Sequence, residues 1–264
     1  MSRPSHLSSL HERIRRLAGP SRRAHGDGLF ATGHQAIDAR FGGGLACGCV
    51  HELFAADADD AGSVAGLGVS LAWLARRGRR VLWLRSDESQ RRSGAAYAPG
   101  LAELGLDPGA WILGRMPDET ALLKAATDAL RCAALGAVVI ECRGNPRMLD
   151  LTASRRLALA ARDSGVTAFL LRGNATPVPS AVETRWAVRS AASRALAANA
   201  PGLPMFEVEL LRRRAGPAGM VWRMEWDRDV CIFREPAPER VKEAAASGAV
   251  VPLPQREPPV HLSA

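Results

Sequence analysis

Four short apolar segments, separated by stretches of helical periodicity, constrain the fold of this 264-residue chain most strongly. The segments are residues 50–54, 81–84, 137–142 and 166–171. Strands that are apolar along their whole length are buried on both faces, which is typical of a parallel sheet covered by helices on each side. Right-handed crossovers are expected between them. The sequence therefore predicts an α/β fold with a mostly parallel sheet flanked by helices.

Three helices are predicted between these strands from the spacing of apolar residues. The second helix is predicted to begin near Asp118 and to end at Gly136, and the third to run from about Met148 to Asp163 and to end at Gly165. The apolar stripes of the first two helices are Val64, Leu67, Leu71 and Leu74, and then Leu122, Leu123, Ala126, Leu130 and Ala134.

A change of pattern marks the C-terminal part of the core. Residues 206–212 and 220–226 alternate apolar and polar side chains around the sequence AGPAG at 215–219. This pattern predicts an antiparallel β-hairpin attached to the edge of the main sheet.

The two ends of the chain are predicted to lie outside a core domain of residues 28–234. Residues 1–27 are predicted to form an amphipathic helix and a linker, and the helix is either a docking arm or part of the core. Residues 235–264 contain six prolines and scattered apolar residues, which predicts a disordered or extended, flexible tail. The apolar stripe of the N-terminal helix, a candidate partner-binding surface, is Leu7, Leu10, Ile14 and Leu17.

The basic composition limits both the partners and the chemistry of the protein. The chain has 35 basic and 27 acidic residues, a net charge of +8 and a pI of about 10.2. This balance favours an anionic partner such as nucleic acid or an acidic protein surface, or it reflects an arginine-rich composition of a GC-rich genome. Because Lys124 and Lys242 are the two lysines of the chain, chemistry that requires lysine has two places to occur.

Apolar runs and cysteines exclude several classes. No apolar run reaches the roughly 18 residues of a membrane helix, and no secretory leader is visible, so a cytoplasmic protein without membrane contact is expected. Five cysteines fit a reducing compartment better than a disulfide framework. Cys47 and Cys49 lack a second ligand pair, so no metal site is predicted.

The loop after the first core strand occupies the position of a nucleotide-binding phosphate loop. The pattern G-x-x-x-x-G-K-[ST] cradles phosphates with backbone N–H groups and contacts them with its lysine. Here residues 55–63 read AADADDAGS, without a lysine. Losing that contact costs roughly 1.5–3 kcal/mol, and added carboxylates repel phosphate.

Individual residues of this loop have alternative roles. Asp57, Asp59 and Asp60 are expected where phosphate oxygens would lie, although Asp59 or Asp60 instead caps the following helix in the alternative interpretation. Gly62 and Ser63 still offer a hydroxyl and free N–H groups to an anion. The loop therefore predicts a vestigial nucleotide site.

Several motifs in a fixed order resemble the core of the RecA-type ATPases. Residues 32–54, TGHQAIDARFGGGLACGCVHELF, resemble the entry into that core, and VLWLRSDES at 81–89, YAPGLAELGLDPG at 97–109 and GAVVIECRG at 136–144 follow in the same order. The HELF segment, the loop without lysine and the RSDE segment resemble the ImuA family more closely. The resemblance covers about residues 28–234 and implies a RecA-like fold of the P-loop type.

The resemblance to the ImuA family implies a role and a set of partners. It implies a RecA-like protein of a damage-inducible bacterial mutagenesis cassette, expressed in the SOS response. The implied partners are an ImuB-like inactive relative of the Y-family polymerases and an error-prone DNA polymerase III α-type subunit, with RecA and single-stranded DNA as further candidates.

The resemblance also implies positions for the nucleotide chemistry. In RecA-type ATPases a carboxylate after the second core strand activates water, and Asp87 or Glu88 lies there. Glu141 corresponds to the carboxylate that helps to hold Mg²⁺. Alternatively, all three are solvated acids at strand ends. With no phosphate-binding lysine, we expect no catalytic residues, no cofactor and no ATPase activity.

Departures in the DNA-binding loops argue against a recombinase filament. The corresponding loops are short here, at 143–147 and 172–180. Arginine beside tryptophan can contact single-stranded DNA, and Arg212, Arg213 and Arg214 are expected to face Trp222 and Trp226 across the predicted hairpin.

Three functional hypotheses follow from these patterns. The first is a non-catalytic RecA-like scaffold of error-prone translesion DNA synthesis, with its ends as docking segments. The second is a DNA-stimulated ATPase of recombination or repair with an atypical phosphate loop. The third is a cell-division inhibitor of the SulA type.

Overall fold

A computed structural model describes residues 28–194, 200 and 202–236 of the chain. The predicted N-terminal helix with Leu7, Leu10, Ile14 and Leu17 lies outside the described residues, and so does the predicted tail beyond residue 236.

Strands and helices alternate through most of the described chain. The strands are β1 Leu29–Phe30, β2 Leu45–Ala46, β3 Val50–Ala55, β4 Arg80–Ser86, β5 Trp111–Met116, β6 Leu135–Glu141, β7 Thr167–Arg172, β8 Thr184–Ser190, β9 Met205–Arg213, β10 Val221–Asp227 and β11 Ile232–Arg234. The helices are α1 Gln35–Phe41, α2 Ala61–Ala75, α3 Asp87–Ser93, α4 Ala98–Glu103, α5 Glu119–Leu130 and α6 Leu151–Ser164. Short 3₁₀ turns cover Ala58–Asp60 and Pro108–Ala110.

A nine-stranded sheet organises the fold. Its order is β11-β10-β9-β8-β3-β7-β6-β4-β5. The six strands from β8 to β5 are parallel, and β9, β10 and β11 are attached antiparallel to β8. The four predicted core strands and the C-terminal hairpin are thereby confirmed. β1 and β2 form a separate two-stranded sheet.

The two faces of the sheet are covered by different helices, which explains why the central strands are apolar throughout. On one face, Leu53, Val139 and Phe169 belong to the hydrophobic core that includes α2. On the other face, Ile140 and Leu170 pack in a second core with α5 and α6. Burial of both faces removes the alternating pattern of a half-exposed strand.

Capping side chains begin the second and third predicted helices, and a glycine ends the third. Asp118 precedes α5 and accepts a hydrogen bond from Ala121 N at 2.8 Å. Asp150 does the same for α6 with Ala153 N at 2.7 Å. Gly165 ends α6 in the left-handed conformation at φ 78°, as predicted.

The predicted end of the second helix at Gly136 is wrong. The helix α5 ends at Leu130, and Gly136 is the second residue of β6. A Cβ atom at Gly136 would lie 2.0 Å from the Arg76 carbonyl oxygen, so this glycine permits a close backbone contact. A glycine required for packing therefore resembles a helix terminator in the sequence.

Two parallel strands, β5 and β8, are not predicted from the sequence. The strand β5 lies at the edge of the sheet and leaves Ile112 and Leu113 exposed, so it lacks the pattern of a buried strand. The strand β8 interrupts its apolar residues with Arg185 and Arg189. Because of these exposed or charged positions, neither strand has the continuous apolar pattern from which the other four were predicted.

The segment before β3 is held by one carboxylate. Asp38 on α1 accepts hydrogen bonds from Thr32 N and Thr32 Oγ1, each at 2.8 Å, and from Gly33 N at 2.9 Å. The Thr-Gly and Ile-Asp motifs of the sequence thus form one turn that fixes the entry into the core.

Candidate functional site

The carboxyl ends of β3, β4, β6 and β7 meet at one edge of the sheet, where the sequence places the phosphate loop. A cleft of about 570 Å³ opens there between the first turns of α2, the ends of β4, β6 and β7, and helices α3 and α4. Most of its wall is apolar and includes Trp83, Tyr97 and Leu101. The charged side chains that line it are Arg85, Arg92, Glu141 and Arg143.

The loop between β3 and α2 differs from the sequence-based expectation. Asp60 is buried and accepts hydrogen bonds from Ser190 N at 2.7 Å and from Asp57 N at 3.2 Å. It occupies the N-cap position of α2 without a capping hydrogen bond from its side chain. Asp57 faces Arg189 at 3.7 Å, and Asp59 is exposed. The expectation of three carboxylates in a phosphate position is therefore wrong for Asp60, which joins the loop to the end of β8.

The start of α2 contributes backbone to the cleft. Ala61 and Gly62 line it, and a Cβ atom at Gly62 would meet nothing within 4 Å. Ser63 is partly buried and does not line the cleft. The N-terminus of a 15-residue helix therefore faces the cleft, but no aspartate of the preceding loop does.

Glu141, the candidate Mg²⁺ ligand, forms a two-point ion pair. Arg85 donates from Nε to Glu141 Oε2 at 2.7 Å and from Nη2 to Oε1 at 3.0 Å. A third hydrogen bond runs from Arg85 Nη1 to the Gly94 carbonyl at 2.6 Å. Arg85 comes from β4, which lies beside β6 in the sheet, and its side chain is 8% exposed. Both carboxylate oxygens of Glu141 are therefore bound to a guanidinium.

The two candidates for activating water are also bound to arginines. Arg115 donates to Asp87, and this hydrogen bond lowers the pKa of the Asp87 carboxyl below its ordinary value. Arg92 Nε donates to Glu88 at 2.9 Å, one helical turn away, and lowers the pKa of Glu88 in the same way. Both carboxylates are thus held ionised and oriented by neighbouring arginines, whereas a general base needs a pKa near the working pH.

A buried ion-pair network joins the neighbouring strands β3, β7 and β8. Glu52 accepts a hydrogen bond from Arg172 Nη1 at 2.8 Å and another from Arg185 Nε at 2.9 Å. The exposed fractions of the three side chains are 1%, 1% and 9% for Glu52, Arg172 and Arg185. Both guanidinium groups also lie over the Phe54 ring, 5.2 and 5.5 Å from its centroid.

This network holds the loops around residues 144 and 176, which the sequence resemblance compares with recombinase DNA-binding loops. Arg172 Nη2 donates to the Gly144 carbonyl at 2.8 Å and to Asn145 Oδ1 at 2.9 Å. Asn145 Nδ2 in turn donates to Thr176 Oγ1 at 2.6 Å. Arg185 Nη2 donates to Ser180 Oγ at 2.7 Å. The loops around 144 and 176 are therefore tied to each other and to the sheet.

The roles of Glu52, Arg85, Arg172 and Arg185 are not predicted from the sequence. The signal that marks them is a charged side chain inside an otherwise apolar strand, because a buried charge requires a partner. The partners themselves lie far away in sequence: Glu52 and Arg172 are 120 residues apart. Single-sequence reasoning can identify such charges but cannot pair them.

The candidate DNA contacts on the hairpin are largely structural. Trp222 pairs with Val208 and contacts Trp186 at a centroid distance of 5.9 Å, while Arg212 pairs with Arg185 on β8. The expectation that Arg212–Arg214 face Trp222 and Trp226 is therefore wrong, and Trp226 is completely buried.

The three arginines have separate contacts. Arg212 Nη1 donates to the carbonyls of Ser180 and Val182 at 3.1 and 3.3 Å. Arg213 lies over the Phe41 ring at 4.3 Å, and Arg214 is exposed. No continuous arginine and tryptophan surface is formed by these residues.

Within residues 28–194, 200 and 202–236, no three side chains of histidine, cysteine, aspartate or glutamate form a candidate metal site. Cys49 Sγ lies 3.3 Å from His51 Nε2. The helices within the described residues include no candidate membrane span.

Comparison with known proteins relates the fold to the recombinases. No protein-family model matches the chain, and no curated protein matches it. The crystal structure of the RadB recombinase is similar, with a TM-score of 0.53 and 16% identity over 79% of this chain and 100% of the RadB chain. At this identity the similarity shows the fold alone. The predicted RecA-like fold is therefore confirmed.

Proposed function

We propose that this protein is a non-catalytic, RecA-like accessory protein of error-prone translesion DNA synthesis. In this role the core provides surfaces for partner proteins and does not turn over ATP. The proposed partners are an ImuB-like inactive Y-family polymerase relative and an error-prone DNA polymerase III α-type subunit, in the cytoplasm of a cell that responds to DNA damage.

The Arg85–Glu141 pair is the observation that carries the non-catalytic role. The carboxylate that would help to hold Mg²⁺ has both oxygens bound to a guanidinium, and Arg85 is in turn bound to Gly94. Metal coordination would require breaking two charge-assisted hydrogen bonds, each worth about 1.5–3 kcal/mol. It would also leave a nearly buried arginine without its partner, which costs more.

The surrounding residues support the same role. The loop between β3 and α2 has no lysine, and its Asp60 accepts a hydrogen bond from the backbone of β8. The loops around Gly144 and Thr176 are tied together by hydrogen bonds of Arg172 and Asn145, which use these side chains within the protein. Resemblance of the sequence to the ImuA family supplies the translesion role and the partners.

Arg143 favours a second candidate, a DNA-stimulated ATPase with an atypical phosphate loop. This arginine lines the cleft beside Arg92 and makes no ion pair with any described residue. A guanidinium at this position would bind phosphate oxygens well. The nucleotide experiment below separates the two candidates.

Titration of the full-length protein with a fluorescent ATP analogue tests the proposed function. It is done with and without Mg²⁺ and single-stranded DNA, and in parallel with the variant Arg143→Ala. We expect no saturable binding up to millimolar analogue and no hydrolysis. Micromolar, Mg²⁺-dependent binding that Arg143→Ala weakens, together with hydrolysis that single-stranded DNA stimulates, would overturn the non-catalytic role and establish the second candidate.

The translesion role requires a cellular measurement. Deleting the gene in its host is expected to lower the frequency of damage-induced mutations, and both the wild-type gene and Arg143→Ala are expected to restore it. An unchanged mutation frequency after deletion would remove the translesion role, whatever the nucleotide titration shows.

A further inference from the structure

The outer face of α6 exposes an apolar stripe that nothing in the described chain covers. Leu151 and Leu159 are 37% and 48% exposed, and Met148, just before the helix, is 43% exposed. At 3.6 residues per turn, Leu151, Arg155, Leu159 and Arg162 fall on one face of the helix. The opposite face is buried against the sheet through Leu157, Ala160 and Ala161.

This stripe is bordered by positive charge. Arg155 and Arg156 are exposed and form no ion pair with a described residue, whereas Arg162 lies 3.4 Å from Asp163. An isolated exposed leucine is ordinary, but here Leu151 and Leu159 alternate with Arg155 and Arg162 along one helix face, and the exposed Met148 lies just before it. Exposed apolar side chains interleaved with charged ones are typical of binding surfaces.

A groove adjoins the stripe. It has a volume of about 540 Å³ and runs between α6 and the segment that follows α5. Leu159 and Arg156 line it from α6, and Arg131 and Ala133 line it from the other side. Asp163 is its acidic lining residue, and Asp128 lies 3.4 Å from Arg131. Leu159 therefore belongs to both the exposed stripe and the groove.

We propose that the α6 surface, defined as Met148, Leu151, Arg155, Arg156 and Leu159 with the adjoining groove, binds an acidic amphipathic helix of a partner protein. Leucine side chains of such a helix would pack on the apolar stripe, and its carboxylates would pair with Arg155 and Arg156. Helices bind apolar grooves in this way through anchors spaced three and four residues apart. Complementary charge would set the choice of partner and speed association.

The charges on the chain argue against its own segments as the occupant. Residues 1–27 contain six arginines and two acidic residues, so the predicted N-terminal helix would be repelled. Residues 237–264 contain three basic and three acidic residues and offer no excess of carboxylates. Two copies of the chain joined through their α6 surfaces would bring Arg155 and Arg156 of one copy against the same arginines of the other. The partner is therefore a different, acidic protein.

The apolar stripe distinguishes this partner from nucleic acid. Phosphate contacts are made by basic and polar side chains and by backbone N–H groups. Met148, Leu151 and Leu159 would gain nothing from a phosphate backbone, but they match the apolar face of a helix.

This surface deepens the scaffold role proposed above and rests on that proposal for its biological purpose. The scaffold role and the α6 surface can be refuted independently of each other. Nucleotide turnover would overturn the scaffold role without touching the α6 surface, and absence of peptide binding at α6 would leave the nucleotide result unchanged.

Selection from a displayed library of helical 16-residue peptides on the full-length protein tests the inference. The best peptide is then synthesised and titrated by fluorescence anisotropy against the wild type, Leu159→Glu and the double variant Arg155→Glu/Arg156→Glu. Matched controls are Val230→Glu, at a side chain 52% exposed elsewhere, and the double variant Arg214→Glu/Arg228→Glu, which reverses two exposed arginines away from α6. A labelled single-stranded 30-mer is titrated in parallel.

We expect the selected peptides to be acidic, with leucine at helical spacing, and both α6 variants to weaken binding at least tenfold while the controls bind as the wild type does. Failure to enrich any peptide, enrichment of neutral or basic peptides, or equal binding by the α6 variants would overturn the inference. Loss of DNA binding in the α6 variants, without loss of peptide binding, would assign the surface to nucleic acid instead.

Discussion

Arg172 Nη1 donates a 2.8 Å hydrogen bond to Glu52 Oε1, and both side chains are 1% exposed. The other carboxylate oxygen of Glu52 accepts from Arg185. One carboxylate therefore neutralises part of the charge of two buried guanidinium groups. The pair also connects β3 to the loop around Gly144, because Arg172 reaches that carbonyl with Nη2.

Replacing Glu52 should lower the free energy of unfolding of the protein. Glu52→Gln removes the negative charge and leaves two buried arginines uncompensated, and breaking a buried pair in this way costs about 3–5 kcal/mol. We expect a fall of that size in the free energy of unfolding, measured by urea denaturation. The exposed Glu103→Gln is the matched control and should have no effect. A change under 1 kcal/mol for Glu52→Gln would contradict the role of this network.

The Arg85–Glu141 pair should behave as a structural unit. Glu141→Gln alone should lower the free energy of unfolding by about 3 kcal/mol, since it leaves the nearly buried Arg85 without its carboxylate. The double variant Arg85→Met/Glu141→Leu removes both charges and should recover most of that loss. Additive destabilisation in the double variant would show that the two side chains do not stabilise each other.

Asp59 and Asp60 are neighbours in sequence with different environments. Asp60→Ala removes a buried carboxylate that accepts a hydrogen bond from Ser190 N, and losing a hydrogen bond to a charged group costs about 2 kcal/mol. Asp59→Ala changes an exposed side chain and should leave stability within about 0.5 kcal/mol of the wild type. Parallel urea denaturation of the two variants measures the difference. Equal effects would mean that the Asp60 contact contributes little.

His51 should make stability depend on pH. Burial lowers the pKa of this histidine from 6.5 to about 4. Above pH 6.5 it is neutral in the folded and unfolded states; as pH falls from 6.5 to 4 the unfolded state is protonated first. The protein should therefore lose up to about 3 kcal/mol of stability over that interval.

The contacts of His51 define a suitable variant. Thr184 Oγ1 lies 2.7 Å from Nδ1 and the Ala46 carbonyl 2.9 Å from Nε2, so the neutral ring accepts at Nδ1 and donates from Nε2. Glutamine offers one acceptor and one donor but does not titrate. The free energy of unfolding of His51→Gln should vary less between pH 7.5 and 4.5 than that of the wild type. Parallel pH profiles for the two proteins would refute a buried, neutral His51.

Gly136 and Gly62 should respond oppositely to alanine. A Cβ atom at Gly136 would lie 2.0 Å from the Arg76 carbonyl oxygen, so Gly136→Ala must displace backbone and should cost about 3 kcal/mol. Gly62 lies in α2 with open space around it, and Gly62→Ala should be neutral or stabilise by up to about 1 kcal/mol. Thermal unfolding of the two variants provides the comparison.

The pattern of apolar segments predicts four of the six parallel strands, the three main helices and the C-terminal hairpin. These elements could be predicted because burial on both faces of a strand, or on one face of a helix, produces a hydrophobic pattern within that segment of the sequence. The edge strand β5 and the arginine-containing strand β8 lack such a hydrophobic pattern. Gly136 was misinterpreted because a glycine needed for a close contact looks the same in sequence as one that ends a helix.

Only part of the candidate site could be predicted from the sequence. The absence of lysine and the presence of three aspartates in residues 55–63 are properties of the sequence alone. They predict a vestigial nucleotide site, which stays a prediction. The structure shows where the acidic side chains lie. Asp60 accepts a hydrogen bond from the backbone of β8, and Glu141 accepts one from Arg85.

The sequence by itself determined the α/β architecture of this protein, because hydrophobic periodicity is a local property. Tertiary structure decided which charges meet. Glu52 and Arg172 are 120 residues apart, and Arg85 and Glu141 are 56 apart. They become neighbours because parallel pairing places β3 beside β7 and β4 beside β6. Strand order depends on the packing of the whole chain, so these ion pairs are set by the fold and not by any single segment.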